Sequence, residues 1–118
     1  MQKTRLIHEV KAVKSKKELA NIIKAQRISE QVLKDVLKKL KTGVSELEIA
    51  NFIKKSFLKY GAPILSFPPI VSFGKNTGNI HHEHNKRKLK KGDTIMFDFG
   101  CTVNHYCSDM TRTFFWGE

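Results

Sequence analysis

The first half of the chain repeats apolar residues at intervals of three and four, the period of an amphipathic α-helix. One apolar stripe comprises Leu19, Ile22, Ile23, Ile28, Val32, Leu33, Val36, Leu37 and Leu40. A second comprises Leu47, Ile49, Phe52, Ile53 and Phe57. Ser15 and Ser45 precede the stripes, with Glu18 and Glu48 three positions later, a spacing that lets side chains bond the free N–H groups at a helix start. The pattern predicts a helical pair in residues 15–60, interrupted at Gly43.

The second half alternates apolar and polar residues, which is the period of a β-strand. Residues 94–114 are predicted to form two strands joined by a tight turn, preceded by a short strand after Pro69. One face of the sheet is apolar and requires cover from the helices: Ile95, Phe97, Phe99, Tyr106 and Met110. We therefore predict an α+β fold, with residues 1–118 as a single domain: a lead-in over 1–14, the helical pair over 15–60 and a small antiparallel sheet over 64–118.

The opposite face of the predicted hairpin carries two acidic residues, Asp98 and Asp109. If Val103 and Asn104 form a two-residue turn, the two aspartates are direct cross-strand partners, with Cβ atoms about 5 Å apart. Like charges at that distance are destabilising, and a shared proton or a shared cation relieves them. We predict a metal, with Asp98 and Asp109 as two of its ligands.

Further candidate ligands lie near this hairpin: His81, His82, Glu83, His84 and His105. Three histidines within four residues indicate either a metal cluster or a polar loop with one functional member. No second Cys/His pair stands at zinc-finger spacing. His105, next to the turn, is expected to be exposed.

Composition limits the classes of protein that are possible. The 118 residues are 40% hydrophobic and 28% charged, typical of a soluble globular protein. We find neither an apolar stretch long enough for a membrane span nor an apolar leader. The two cysteines are predicted on opposite faces of the hairpin, so a disulfide is not expected and a reducing cytoplasm is. The net charge of +11 is compatible with an acidic partner. Its densest cluster, 86–91, lacks an aromatic residue for base stacking, so we interpret it as a solvated loop first and as a binding patch second.

The segments 92–100 and 109–114 together resemble the signature of the pita-bread metallopeptidases. The Asp-Met-Thr-Arg-Thr form starting at Asp109 is more similar to Xaa-Pro aminopeptidases and Xaa-Pro dipeptidases than to methionine aminopeptidases. Upstream, 66–76 resembles the strand and turn that lead to the substrate histidine of the family, which corresponds to His81. The likeness covers nearly the whole chain.

The resemblance implies a hydrolase in which two divalent metals, such as manganese, cobalt or zinc, activate a water that attacks the peptide bond before proline. Asp109 would bridge the metals, Asp98 would chelate one, and His81 would contact a peptide with proline in second position. It also implies that the chain is the N-terminal half of the catalytic domain, because the later histidine and two glutamates of the family have no counterpart here. A lone half is expected to be inactive.

Three arrangements remain open for such a half. A second chain carrying the C-terminal half could complement it. The mixed hairpin face could pair with a second copy in a homodimer. The chain could also be a non-catalytic peptide- or nucleic-acid-binding module of the same family, with which its basic charge is compatible.

Overall fold

The computed structural model describes residues 15–78 and 86–117. The predicted lead-in, 1–14, lies outside the described residues, as do His81 and the three residues that follow it.

Two helices form where the sequence predicts them. Helix α1 spans Lys16–Lys39 and helix α2 spans Glu46–Lys59. Ser15 and Ser45 cap them, and each side chain accepts a 3.1 Å hydrogen bond from the backbone N–H three residues on. Gly43, between the helices, has a φ of +100°, which a residue with a Cβ rarely adopts. Neither helix combines the length and the apolar character that a membrane crossing requires.

The buried side of α1 is narrower than its apolar stripe. Leu19, Ile23 and Leu37 belong to the apolar stripe of α1, yet they are 46%, 48% and 40% exposed, and Leu47 of α2 is 39% exposed. The buried residues of α1 instead follow one line along the helix: Ala25, Ile28, Ser29, Val32 and Val36. The stripe predicted the helices but not this exposure, because apolar spacing does not reveal how wide an arc of a helix the neighbouring elements cover.

The second half forms an antiparallel sheet. Strands β1 (Ile70–Phe73), β2 (Asp93–Phe99) and β5 (Met110–Trp116) lie side by side in the order β1-β2-β5. A 3₁₀ turn over Gly74–Gly78 follows β1, and a separate two-stranded sheet joins β3 (Thr102–Val103) to β4 (Tyr106–Cys107). The described fold is a helical pair on a small antiparallel sheet, and the predicted α+β class is confirmed.

The helices cover one face of this sheet. The buried residues of that face are Val71, Phe73, Ile95, Phe97, Phe99 and Met110. Phe57 of α2 meets Phe99 edge-on, with ring centroids 5.7 Å apart. Burying a side chain of this size stabilises the fold by about 1.5–3 kcal/mol. The prediction that the helices cover this apolar face is confirmed.

The hairpin register differs from the predicted one. Val103 pairs with Tyr106, so the turn residues are Asn104 and His105, with φ of 48° and 72°, rather than Val103 and Asn104. A two-residue turn with both φ values positive matches the twist of its strands, and asparagine tolerates it far better than the β-branched valine. Asp98 is therefore opposite Thr111, not Asp109. Because the shift is two residues, Asp98 and Asp109 remain on the same face.

Candidate metal centre

The sheet face turned away from the helices mixes polar and apolar residues and is only partly covered. Its central rows, read across the three strands, are Ile70, Asp98 and Thr111, then Ser72, Met96 and Thr113. Thr111 and Thr113 are exposed, whereas Asp98 and Met96 are half-buried. Four of these six side chains carry an oxygen atom, so the face offers oxygen ligands.

The last residue pair between β2 and β5 is Phe99 with Met110. Asp109 lies one residue beyond this pair, and from there it approaches Asp98. Gly100 permits this approach. A Cβ there would lie 2.0 Å from the carbonyl oxygen of Ser108 and 3.2 Å from the Cα of Asp109. The backbone of Ser108 and Asp109 therefore lies so close to Gly100 that a residue with a Cβ fits there only if the backbone moves.

The carboxylate of Asp109 perturbs that of Asp98. The pKa of Asp98 is raised from 3.8 to about 6, chiefly because burial disfavours the charged form, and further because the carboxylate of Asp109 lies against it. The hydroxyl of Thr111 acts in the opposite direction by bonding the charged form. The sequence-based expectation that these two carboxylates meet is thus confirmed, although their strand register is not the expected one.

One oxygen of this pair lacks a partner. Within 15–78 and 86–117, Oδ1 of Asp98 is buried and accepts no hydrogen bond. Two carboxylates are both acceptors, so the contact between them is favourable only with a proton or a cation in between. Ser72, fully buried on the same face, also has an Oγ without a partner in those ranges. Leaving such an atom unpaired costs about 1–3 kcal/mol, so this face carries two oxygens that an incoming group could satisfy.

Asp98 and Asp109 are suitable ligands for a divalent cation, but two ligands are fewer than such an ion takes. Carboxylate oxygens suit manganese, magnesium or zinc, yet such ions take four or more ligands. In the part of the chain that the structure describes, no three His, Cys, Asp or Glu side chains gather in one place. Asp98 and Asp109 are therefore a partial ligand set.

The other predicted candidates are placed differently. His105 is exposed in the hairpin turn, as expected, and does not join the two aspartates in a cluster of three potential ligands. His81, His82, Glu83 and His84 lie outside the described residues, so their roles remain predictions.

Part of the basic cluster 86–91 is used inside the fold. Leu89 is 1% exposed, and its N–H donates to the carbonyl of Val44 at 2.7 Å. Arg87 donates from Nε to the carbonyl of Phe73 at 2.9 Å and forms a 3.1 Å ion pair with Asp93. This segment fastens β1 to the loop between the helices. The interpretation as a solvated loop is therefore wrong for Leu89, which is buried, and for Arg87, which is paired with Asp93.

Sequence reasoning missed a fully buried carboxylate at the start of α2. Glu46 accepts hydrogen bonds from the N–H of Phe73 at 2.7 Å and from Nδ2 of Asn76 at 3.0 Å. It thereby fastens the 3₁₀ turn that follows β1. Because Glu46 directly follows the capping residue Ser45, the sequence indicates only an acidic residue in the first turn of a helix. The apolar periodicity does not identify the distant groups that bond to it.

A second missed feature is a cluster of hydroxyls beside Gly100, formed by the buried Ser29 and Ser108 and the partly buried Ser66. Ser29 and Ser108 are 0% and 6% exposed, and their Oγ atoms are 2.7 Å apart. A weak signal existed for Ser29, because the helical period places it on the same line as Val32 and Val36. Nothing local indicated that residue 108 would be its partner.

The fold agrees with comparisons to known proteins. The family model of metallopeptidase family M24 matches residues 20–118, so the chain belongs to that family. Its structural neighbours are Xaa-Pro aminopeptidases and prolidases of the pita-bread fold, and the described helices and sheet are part of that fold.

Three relatives illustrate the similarity. An uncharacterized peptidase of Staphylococcus haemolyticus is 37% identical over 107 residues, which are 91% of this chain and 30% of that protein. The X-Pro aminopeptidase of Thermotoga maritima superposes with a TM-score of 0.83 at 31% identity, over 97% of this chain and 32% of that one. A prolidase of Thermococcus sibiricus gives 0.83 at 39% identity, over 90% and 29%. The chain thus spans about a third of the length of these relatives.

Proposed function

We propose that this chain contributes part of the active site of a metal-dependent Xaa-Pro peptidase, with Asp98 and Asp109 as ligands of a divalent metal centre. The observation that carries the proposal is the contact between two carboxylates, one with a buried, unpartnered oxygen. Within the described ranges neither aspartate forms an ion pair with a basic side chain. A cation is the remaining group that neutralises both without requiring an acidic solution.

When bound at such a pair, divalent metals supply a water of lowered pKa and polarise the carbonyl of the substrate. The role of this chain is to hold the ligands. Strands β2 and β5 are rigid elements, and Gly100 lets the second carboxylate come close to the first. His81 is proposed to contact the substrate and to stabilise the charge that develops on its carbonyl or leaving nitrogen. Specificity for proline in second position is inferred from the similarity to the X-Pro aminopeptidase and the prolidase.

We further propose that residues 1–118 are the N-terminal half of a pita-bread catalytic domain. The described residues supply two ligands, so the proposal requires further ligands from outside 15–78 and 86–117. The C-terminal half of the catalytic domain is the favoured source, and a second copy of this chain is the alternative. By itself the chain is expected to bind metal weakly and to hydrolyse little or no Xaa-Pro peptide.

Calorimetric titration with manganese tests the metal centre. We expect Asp98→Asn and Asp109→Asn each to weaken binding at least tenfold, because each removes one of few anionic ligands. Glu30→Gln, on the exposed surface of α1, is the charge-matched control and should bind like the wild type. Equal manganese affinity in all four proteins would contradict the assignment of the ligands.

Hydrolysis of Xaa-Pro peptides in the presence of manganese tests the second part. We expect negligible turnover from the 118-residue chain and recovery on mixing with a C-terminal half of a family member. Robust turnover by the chain alone would show that its site is more complete than proposed.

A further inference from the structure

The serine cluster of Ser29, Ser66 and Ser108 lies where the hairpin ladder is interrupted, one residue before Asp109. We propose that this cluster is a positioning device: it turns the peptide unit between Ser108 and Asp109 and so aims the carboxylate of Asp109 at Asp98. The inference rests on the proposed function, since it concerns how one metal ligand is held.

The first step of the argument is a missing backbone hydrogen bond. Cys101 and Ser108 continue the register of the hairpin, and in a regular antiparallel pair they would exchange two backbone bonds. One is present, from the N–H of Ser108 to the carbonyl of Cys101 at 2.8 Å. In place of the other, the N–H of Cys101 donates to the side-chain Oγ of Ser108 at 3.0 Å. The hydroxyl of Ser108 thus takes the place of its own carbonyl.

The second step concerns the displaced carbonyl. The oxygen of Ser108 lies 2.9 Å from the hydroxyl of Ser66, which is also 2.9 Å from the carbonyl of Cys101. Ser66 has one hydroxyl proton, shared between these two acceptors, so it ties the two strands together at this point. The Ser108 carbonyl also points toward Gly100, which is why a Cβ at Gly100 would collide with it.

The third step connects the carbonyl to the ligand. The carbonyl of Ser108 and the N–H and Cα of Asp109 lie in one peptide plane. Holding the oxygen in place therefore sets the direction in which Asp109 leaves the backbone. Ser29 of α1 completes the support, because its hydroxyl is 2.7 Å from that of Ser108 and is fully buried. A helix on one side of the sheet thus determines the direction of a ligand on the other.

Ser66→Ala is the principal test variant, because Ser66 is only partly buried and its loss leaves no cavity in the core. Ser66→Thr keeps the hydroxyl and should behave as the wild type. Ser56→Ala is the matched control: Ser56 is 5% exposed in α2 and is not part of the cluster. Ser108→Ala, which also removes the acceptor for Cys101, is the stronger variant if it folds.

Two measurements are made on each protein. In the metal-free proteins, NMR or crystal structures give the separation of the two aspartate carboxyl groups. We expect it to increase by at least about 1 Å in Ser66→Ala and to stay unchanged in Ser66→Thr and Ser56→Ala. In titrations with manganese, we expect the dissociation constant of Ser66→Ala to rise by about tenfold, the lower end of the effect of outer residues that orient metal ligands.

The outcomes separate this inference from the proposed function. If the wild type binds no manganese, the metal proposal fails, while the carboxyl separation in the metal-free variants still decides the positioning claim. An unchanged separation in Ser66→Ala overturns that claim whatever the metal affinity. A widened separation with unchanged manganese affinity also overturns it, because the cluster would then be structural only.

Discussion

The buried, unpartnered oxygen of Asp98 makes this residue a source of instability in the metal-free protein. Replacing Asp98 with asparagine keeps the shape of the side chain, removes its charge and adds a donor that can bond the carboxylate of Asp109. We expect Asp98→Asn to be more stable than the metal-free wild type at neutral pH, although most substitutions at a half-buried site destabilise.

The size of the effect follows from the pKa of Asp98. It is raised from 3.8 to about 6, and each pKa unit corresponds to about 1.4 kcal/mol. The upper limit is therefore about 3 kcal/mol at pH 7. Since Asp98 is only partly buried and solvent screens part of the interaction, we expect about 1–2 kcal/mol. For a chain of this length that corresponds to a Tm increase of about 3–10 °C.

The pH dependence has a definite sign. A carboxyl group whose pKa is raised on folding binds more protons in the folded than in the unfolded state between pH 4 and 6, so stability increases as the pH falls through this range. The stability advantage of Asp98→Asn should therefore grow as the pH rises from about 4 to 7 and level off above. Urea denaturation in EDTA at several pH values measures it.

The difference between the two proteins reports on Asp98 and its contact with Asp109, because the titrating groups elsewhere in the chain are common to both. Asp35, for example, has a lowered pKa owing to the hydrogen bond from Tyr60, and its effect on stability has the opposite sign. If Asp98→Asn were less stable than the wild type at pH 7, or if the difference did not change with pH, the reasoning about the unpartnered carboxylate would be wrong.

Three further perturbations test the structure around the site. Glu46→Ala removes the acceptor for two hydrogen bonds at a fully buried position, so the free energy of unfolding should fall by about 3–5 kcal/mol. The control Glu48→Ala, on the exposed side of α2, should lower it by less than about 1 kcal/mol. Equal effects of the two substitutions would contradict this prediction. Gly100→Ala forces the backbone at Ser108 to move and should cost about 3 kcal/mol and weaken manganese binding, and a neutral result in both assays would refute the close approach. Phe57→Ala leaves a cavity in the core and should cost about 3–5 kcal/mol in urea denaturation without changing the pH dependence described above.

Much of the fold follows from local patterns in the sequence. The capping serines, Ser15 and Ser45, and the helical spacing of apolar residues predicted both helices because these signals act within a few residues of each other. Strand alternation predicted which hairpin residues face the helices. It also predicted that Asp98 and Asp109 share a face, since a register error of two residues does not change the side on which a residue lies.

Other properties depend on contacts between distant parts of the chain, which local pattern cannot report. The turn at Asn104 and the pairing of Asp98 with Thr111 were mispredicted because two adjacent dipeptides both allow a tight turn and only the assembled strands choose between them. The exposure of Leu19 depends on how far the neighbouring elements extend.

The candidate site shows the same division. Its two acidic residues and the family to which they belong could be recognised in the sequence, because carboxylates at a fixed separation are visible in one dimension. The route by which Asp109 reaches Asp98 involves Ser29 and Ser66, which are 79 and 42 residues from Ser108. Hydrogen bonds over such separations exist only after the helix and the sheet have packed, so tertiary structure alone decided how the two carboxylates meet.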